Sequence, residues 1–125
     1  MTETSGSALY TALAYHRAWT SHDFDQAMTY IAPDIVCHAL AGPIIGAAAF
    51  RGFMGPFSQI LTRSELIAAF GGTHTAVLIY DTDTVPVQKT PAAEYLTINE
   101  GQIIRMTIIF DRTPFDSARR ASGID

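Results

Sequence analysis

The chain of 125 residues is 48% hydrophobic and 16% charged, and its 8 basic and 12 acidic side chains give a net charge of −4. The length suits one domain, assigned here to 1–125 with a core at about 8–116, and such a domain buries a core without metal or disulfide staples. The net charge excludes the basic surface that nucleic acids and anionic membranes require. A polar N-terminus and the lack of a long apolar run predict a cytoplasmic protein that does not enter the membrane.

The first part of the chain has the hydrophobic spacing of helices. Residues 8–20 repeat apolar side chains at helical intervals and predict the first helix. Asp23 followed by Gln26 resembles a capping box that starts a second, short helix. Pro33 is expected to end this helix, because a proline disfavours the helical conformation of the residue before it.

The stretch "IVCHAL" at 35–40 predicts a strand and places Cys37 beside His38. Neighbouring side chains on a strand point to opposite faces, so these two cannot form a nucleophile–base pair. A buried free cysteine is usually an apolar filler, and nothing basic nearby in the sequence lowers the pKa of Cys37. His38 fits either a structural or interface position, or a pocket acid–base group if the register shifts by one.

The rest of the chain changes from helical to β-rich patterning. A third helix is predicted over 46–61, with a kink or break at Pro56 because proline removes a helical hydrogen bond. Four β-rich runs follow and predict an antiparallel sheet over 63–111, with a hairpin at Asn99-Glu100-Gly101. The order predicts an α+β domain with three N-terminal helices packed on one face of a curved antiparallel sheet.

The segments "AYHRAWTSHDFDQAMTYIAPDIVCHALAG…IGAAAF" and "NEGQIIRMTIIFDRTPFDSAR" resemble the NTF2-like superfamily. The nearest branch is that of the SnoaL-like polyketide cyclases, ketosteroid isomerases and limonene epoxide hydrolases. The similarity covers about residues 8–116, and it implies a cone-shaped α+β fold. It implies no single activity, because this fold carries enzymes, binding modules and non-catalytic domains alike.

The ketosteroid isomerases provide the first comparison of catalytic residues. Their oxyanion-hole tyrosine lies eight residues before an aspartate, as Tyr15 lies before Asp23, so the resemblance implies that role for Tyr15. Their general-base aspartate falls on Ala39, so that base is absent. Their second oxyanion-hole acid falls on Ala93 or, with a hairpin one residue shorter, on Glu94.

The epoxide hydrolases provide the second comparison, and it excludes their mechanism. Ile108 stands where these enzymes carry an aspartate on the last strand. Their arginine–aspartate pair on the middle strand falls roughly on His74 and Ala76. Two of the three charged catalytic groups are therefore replaced by apolar residues, and epoxide hydrolysis of the limonene type is ruled out.

A pocket inside the cone leaves few titratable candidates. His74 is the best remaining base if its strand face lines the cone, and otherwise it is a polar residue at a strand end. Glu94 among apolar neighbours would have a raised pKa and could donate a hydrogen bond as a neutral acid, unless it is a solvated strand end. The alignment turns Cys37 toward the pocket and His38 away from it. The remaining residues expected to line the pocket are Trp19, Phe53, Phe57, Met106 and Ile108.

Two functions from different classes remain open. One is a SnoaL-like protein that binds a small apolar ligand, polycyclic or carbonyl-bearing, in the cone. It would carry out isomerase- or cyclase-type proton transfer, with Tyr15 and Glu94 stabilising an enolate and His74 moving the proton. We then expect Tyr15 and His74 to meet in one cavity. The other is a non-catalytic NTF2-like domain. No cofactor motif is present, and the four histidines lack the spacing of metal ligands, so neither a cofactor nor a metal is expected.

The last two strands predict a homodimer. The runs "EYLTI" and "IIRMTIIF" are apolar on both faces, which a sheet with one face in water does not require. A typical soluble domain is about 25% charged, so the low charge content also predicts that apolar residues line a cavity or a subunit interface. We expect the convex face of the sheet to be buried between two copies, with Ile103, Thr107 and Ile109 in the interface.

Overall fold

The computed structural model describes residues 7–121, which contain four helices and one six-stranded sheet. In chain order the elements are α1 (Ser7–Thr20), α2 (Phe24–Met28), β1 (Ile31–Ala39), β2 (Gly42–Ile45), α3 (Ala47–Ile60), β3 (Leu61–Gly71), β4 (Thr75–Thr84), β5 (Thr90–Asn99), β6 (Gln102–Phe110) and α4 (Thr113–Ala121). Residues 1–6, which include most of the polar N-terminus, and residues 122–125 of the assigned domain lie outside the described range. No helix within that range is long and apolar enough to cross a membrane.

The strands lie in the order β2-β1-β6-β5-β4-β3. From β3 to β6 each strand pairs antiparallel with the next, which confirms the antiparallel sheet predicted for this part of the chain. The sheet as a whole is mixed, because β1 pairs parallel with β6. The sequence prediction missed β2, which folds back antiparallel on β1. The α+β class, with helices packed on a curved sheet, is confirmed.

Local chemistry explains most of the helix and turn positions. Asp23 caps α2 by accepting a hydrogen bond from the Gln26 backbone N–H at 3.2 Å, as predicted. Glu100 and Gly101 both have positive φ, which is the geometry of the two-residue hairpin turn expected there. Helix α3 continues through Pro56, so the helix does not break there.

Two further boundaries differ from the prediction. Helix α2 ends at Met28, and Pro33 lies inside β1, so proline is not what stops this helix. A fourth helix, α4, follows the sheet and was not predicted. None of its described residues is buried.

A β-bulge in β6 corrects one predicted interface residue. Thr97 of β5 pairs with Arg105 and Ile98 pairs with Ile103, which leaves Ile104 as an extra residue. An extra residue shifts the alternation of the strand by one. Ile103 therefore turns into the core, where it is 0% exposed, and the expectation that it lies on the convex face is wrong.

Candidate functional site

The inner face of the sheet and helix α3 enclose a cavity of about 180 Å³. Most of its wall is apolar, and Tyr80, Thr82 and Thr90 provide the polar groups. Alternation along β4 and β5 turns these three side chains inward, on the same face as the core. The residues that line the cavity are Phe53, Met54, Phe57, Tyr80, Thr82, Thr90, Ala92, Ile108 and Phe110.

A buried acid lies beside this cavity and is joined to it by a tyrosine. The Tyr80 hydroxyl donates a hydrogen bond to Glu94 Oε2 at 2.5 Å. Glu94 is 0% exposed, and burial raises the pKa of its carboxyl to about 7, although the bond from Tyr80 acts in the opposite direction. Near neutral pH this carboxyl is therefore poised between its protonated and ionised forms.

Several buried polar atoms around this pair have no hydrogen-bond partner within residues 7–121. Buried polar groups in proteins are nearly always partnered, so a concentration of exceptions indicates a place where another polar group binds. Burial, and to a smaller extent the charge of Glu94, raises the pKa of Tyr15 well above its usual value, so the phenol lies within electrostatic range of the carboxyl. The unpartnered atoms are Tyr15 Oη, His16 Nδ1, Trp19 Nε1, Thr90 Oγ1 and Glu94 Oε1.

Helix α1 holds the Tyr80 ring in place. The rings of His16 and Trp19 lie 4.7 Å and 5.7 Å from the Tyr80 ring, centroid to centroid. Burial, followed by the charge of Arg17, lowers the pKa of His16 to about 4, so this imidazole is neutral around pH 7. His16 had no assigned role in the sequence analysis, and only its position beside Tyr15 on an amphipathic helix could have indicated one.

The structure brings Tyr15 and Glu94 together but leaves His74 apart from them. His74 is exposed in the turn that precedes β4, whereas the cavity lies toward the other end of that strand. The sequence prediction extended the alternation of β4 back to His74. The strand begins only at Thr75, and His74 still belongs to the turn before it. The expectation that His74 and Tyr15 meet in one cavity is therefore wrong.

The predicted wall residues divide into two groups. Phe53, Phe57 and Ile108 line the cavity. Trp19 and Met106 are fully buried, and they lie in the core behind the wall. The sequence analysis did not identify Thr82 or Thr90 as pocket residues. The alternation of β4 could have placed Thr82 inside, and the alternation of β5, followed back from Glu94 to the start of the strand, could have placed Thr90 inside.

Cys37 and His38 lie on opposite faces of β1, as strand alternation predicts. Cys37 is fully buried, and His38 is exposed. Burial, with a smaller contribution from Glu94, raises the pKa of the Cys37 thiol to about 12, so this side chain is an uncharged neighbour of the acid. Within residues 7–121 no group of three or more potential ligand side chains could hold a metal ion.

A second cavity, of about 350 Å³, lies between the first cavity and helix α4. Phe53, Phe57 and Phe110 line both cavities and form the partition between them. Phe115 of α4 packs on this partition, with ring centroids 6.2 Å from Phe57 and 5.9 Å from Phe110. Helix α4 therefore covers the outer side of the partition through one aromatic side chain.

Comparisons with known proteins agree with this architecture. A family model for the SnoaL-like domain matches residues 12–106, and the chain belongs to this family. A crystal structure of a protein from Kribbella flavida DSM 17836 is 61% identical with a TM-score of 0.91, and covers 94% of this chain and 97% of that chain. No curated protein sequence matches the chain.

Two more distant structures share the fold alone. A candidate ketosteroid isomerase from Kribbella flavida DSM 17836 is 13% identical with a TM-score of 0.71, and covers 84% of this chain and 78% of that chain. A candidate polyketide cyclase from Sinorhizobium meliloti is 19% identical with a TM-score of 0.69, and covers 79% of this chain and 93% of that chain.

Proposed function

We propose that the protein binds a small apolar, carbonyl-bearing molecule in the inner cavity and carries out isomerase- or cyclase-type proton transfer on it. The observation that carries this proposal is the Tyr80–Glu94 pair, a fully buried acid bonded to a tyrosine that lines an apolar cavity. Perturbed acids beside a cavity are typical of functional sites. The likeness in fold to a candidate ketosteroid isomerase and a candidate polyketide cyclase is consistent with it.

The mechanism we propose uses Tyr80 as a proton relay. In its ionised form, Glu94 accepts the Tyr80 hydroxyl proton while the Tyr80 oxygen takes a proton from the carbon next to the ligand carbonyl. In the reverse direction, protonated Glu94 returns its proton to Tyr80, which protonates the ligand at another carbon or at oxygen. A pKa of about 7 suits both directions, because general acid–base groups work best near the ambient pH.

A specific observation favours a second function, binding without catalysis. Ala39 stands where the ketosteroid isomerases carry their general base, and within the described residues no carboxylate lines the inner cavity. In that case the Tyr80–Glu94 pair would only orient a ligand oxygen.

Hydrogen–deuterium exchange separates the two functions without knowledge of the natural substrate. The probe is 2-tetralone, a neutral bicyclic ketone, followed by NMR in deuterated buffer near neutral pH. We expect the protein to accelerate exchange at the carbon next to the carbonyl. General acid–base catalysis contributes about 10²- to 10⁴-fold, so Glu94→Gln should remove an acceleration of that order.

A matched control is Glu65→Gln, which changes an exposed carboxylate on β3 and should leave the exchange rate unaltered. Binding of 2-tetralone without faster exchange would favour the binding function. Equal exchange rates for the protein and for Glu94→Gln would exclude Glu94 as the acid–base group.

A further inference from the structure

The wall of the inner cavity restricts the charge of its ligand. Within residues 7–121 no charged side chain lines this cavity. Tyr80 on the wall donates a hydrogen bond to the buried carboxyl of Glu94, so the ionisable groups at this point of the wall are acids. A carboxylate or phosphate in the cavity would lose its hydration and gain no cationic partner, which is costly in an apolar environment. A cation would likewise lose its hydration against a wall without a charged side chain, so the ligand that fits is electrically neutral.

The size of the cavity restricts the ligand further. An apolar cavity of about 150 Å³ holds a benzene molecule, whereas sites for drug-sized molecules have about 300–1,000 Å³. The inner cavity has about 180 Å³ and ends at the partition of Phe53, Phe57 and Phe110. One or two fused rings suit this volume, whereas a four-ring skeleton would have to displace the partition.

Thr90 supplies a polar anchor that the proton relay does not use. Thr82 Oγ1 donates a hydrogen bond to the Thr90 carbonyl at 3.0 Å, and Tyr80 donates to Glu94, so both of these hydroxyl protons are engaged. The Thr90 hydroxyl is buried, lies on a cavity-lining residue and has no partner among the described residues. A buried hydroxyl without a partner costs free energy that a hydrogen bond to the ligand would recover.

We infer that the inner cavity is specific for neutral compounds of one or two rings that carry a carbonyl or hydroxyl oxygen, and that the Thr90 hydroxyl binds such an oxygen. This inference rests on the proposed function, because it takes the same cavity as the ligand site. It goes further by defining the class of ligand and by naming Thr90 as a specificity-determining residue.

Isothermal titration calorimetry with four probes tests the inference. The probes are 2-tetralone, the hydrocarbon tetralin, the anion of 2-naphthoic acid and the four-ring diketone androstenedione. We expect 2-tetralone to bind at least tenfold more tightly than the anion and the steroid. Thr90→Val keeps the shape and removes the hydroxyl, so it should weaken 2-tetralone binding about fivefold, as for one neutral hydrogen bond, and leave tetralin binding unchanged.

The control variant is Thr97→Val, on the outer face of β5. It should alter neither the affinity for 2-tetralone nor the affinity for tetralin. Binding of the anion or the steroid as tightly as 2-tetralone would overturn the inferred ligand class and leave the proposed function standing. If Thr90→Val weakens the binding of tetralin as much as that of 2-tetralone, the role inferred for the Thr90 hydroxyl is wrong. If none of the probes binds, the cavity is not the ligand site, and the proposed function fails as well.

Discussion

Glu94 is the residue on which the chemistry of this protein depends. Its carboxyl is fully buried and has one hydrogen bond, from Tyr80, while its second oxygen has no partner within residues 7–121. A surface carboxyl would be ionised at neutral pH, and only burial among apolar side chains brings its pKa to about 7. The same burial therefore makes Glu94 useful for proton transfer and costly for stability.

The pH dependence of stability should reveal this cost. The pKa of Glu94 rises from 4.5 in a solvated chain to about 7 in the fold, so the folded state retains a proton that the unfolded state loses. The contribution of Glu94 to the free energy of unfolding should therefore fall by about 3 kcal/mol as the pH rises from about 4.5 through 7. His16 opposes this trend, because its pKa falls from 6.5 to about 4 and its contribution increases with pH over that interval.

The variant Glu94→Gln isolates the two contributions. Without the carboxyl, the free energy of unfolding should rise between about pH 4 and 6.5 because of His16, and stay level above that interval. Urea unfolding followed by the fluorescence of Trp19 measures both curves. Parallel curves for the protein and for Glu94→Gln would show that the pKa of Glu94 is not raised in the fold.

Helix α4 is the element with the weakest attachment to the rest of the structure. None of its described residues is buried, and Phe115 anchors it to the phenylalanine partition. Elements with few buried apolar contacts open with a small free-energy cost. We therefore expect α4 to control the exchange of ligands with the inner cavity more than the stability of the fold.

The change Phe115→Ala tests this expectation. Phe115 makes two aromatic pairs that contribute about 0.5–1.5 kcal/mol each, so the loss in unfolding free energy should be about 1–3 kcal/mol. The dissociation rate of 2-tetralone, measured by stopped-flow fluorescence, should increase. Arg120→Ala alters an exposed side chain on the same helix and serves as the control. An unchanged dissociation rate would mean that ligands do not leave past α4.

The whole molecule exposes an apolar outer face on its sheet. Phe70, Val77, Tyr95 and Thr107 are cross-strand neighbours in one row, and Ile109 lies nearby on β6. Phe70 is 62% exposed and Ile109 is 61% exposed. A monomeric sheet usually turns polar side chains to water, and contiguous apolar surface typically marks an interface. A homodimer that buries this face remains our prediction, now with Thr107 and Ile109 but without Ile103.

Sedimentation velocity at micromolar concentration tests this assembly. The protein should sediment as a dimer, and Ile109→Glu should shift it to a monomer because two carboxylates would be buried in the interface. Val85→Glu provides the control, since Val85 is 76% exposed in the β4–β5 connection, away from the outer face. If the unsubstituted protein sediments as a monomer, the predicted homodimer is wrong.

Local sequence patterns were sufficient to predict much of this fold. Apolar spacing predicted α1, Asp23 marked the start of α2, and the Glu100-Gly101 turn set the hairpin. Strand alternation also separated Cys37 from His38 correctly. Each of these features depends on residues within a few positions of one another, so the local sequence contains the necessary information.

Other features depended on contacts between distant segments. The parallel pairing of β1 with β6 joins strands about 70 residues apart, and no local pattern encodes it. The bulge at Ile104 reversed the expected direction of Ile103, and the turn before β4 left His74 in solvent. The Tyr80–Glu94 bond forms because two neighbouring strands place both side chains on the concave face. A residue's type and local pattern make it a candidate for catalysis. Its pKa, however, depends on its burial and on its partners across the sheet, and only the folded chain determines that burial and those partners.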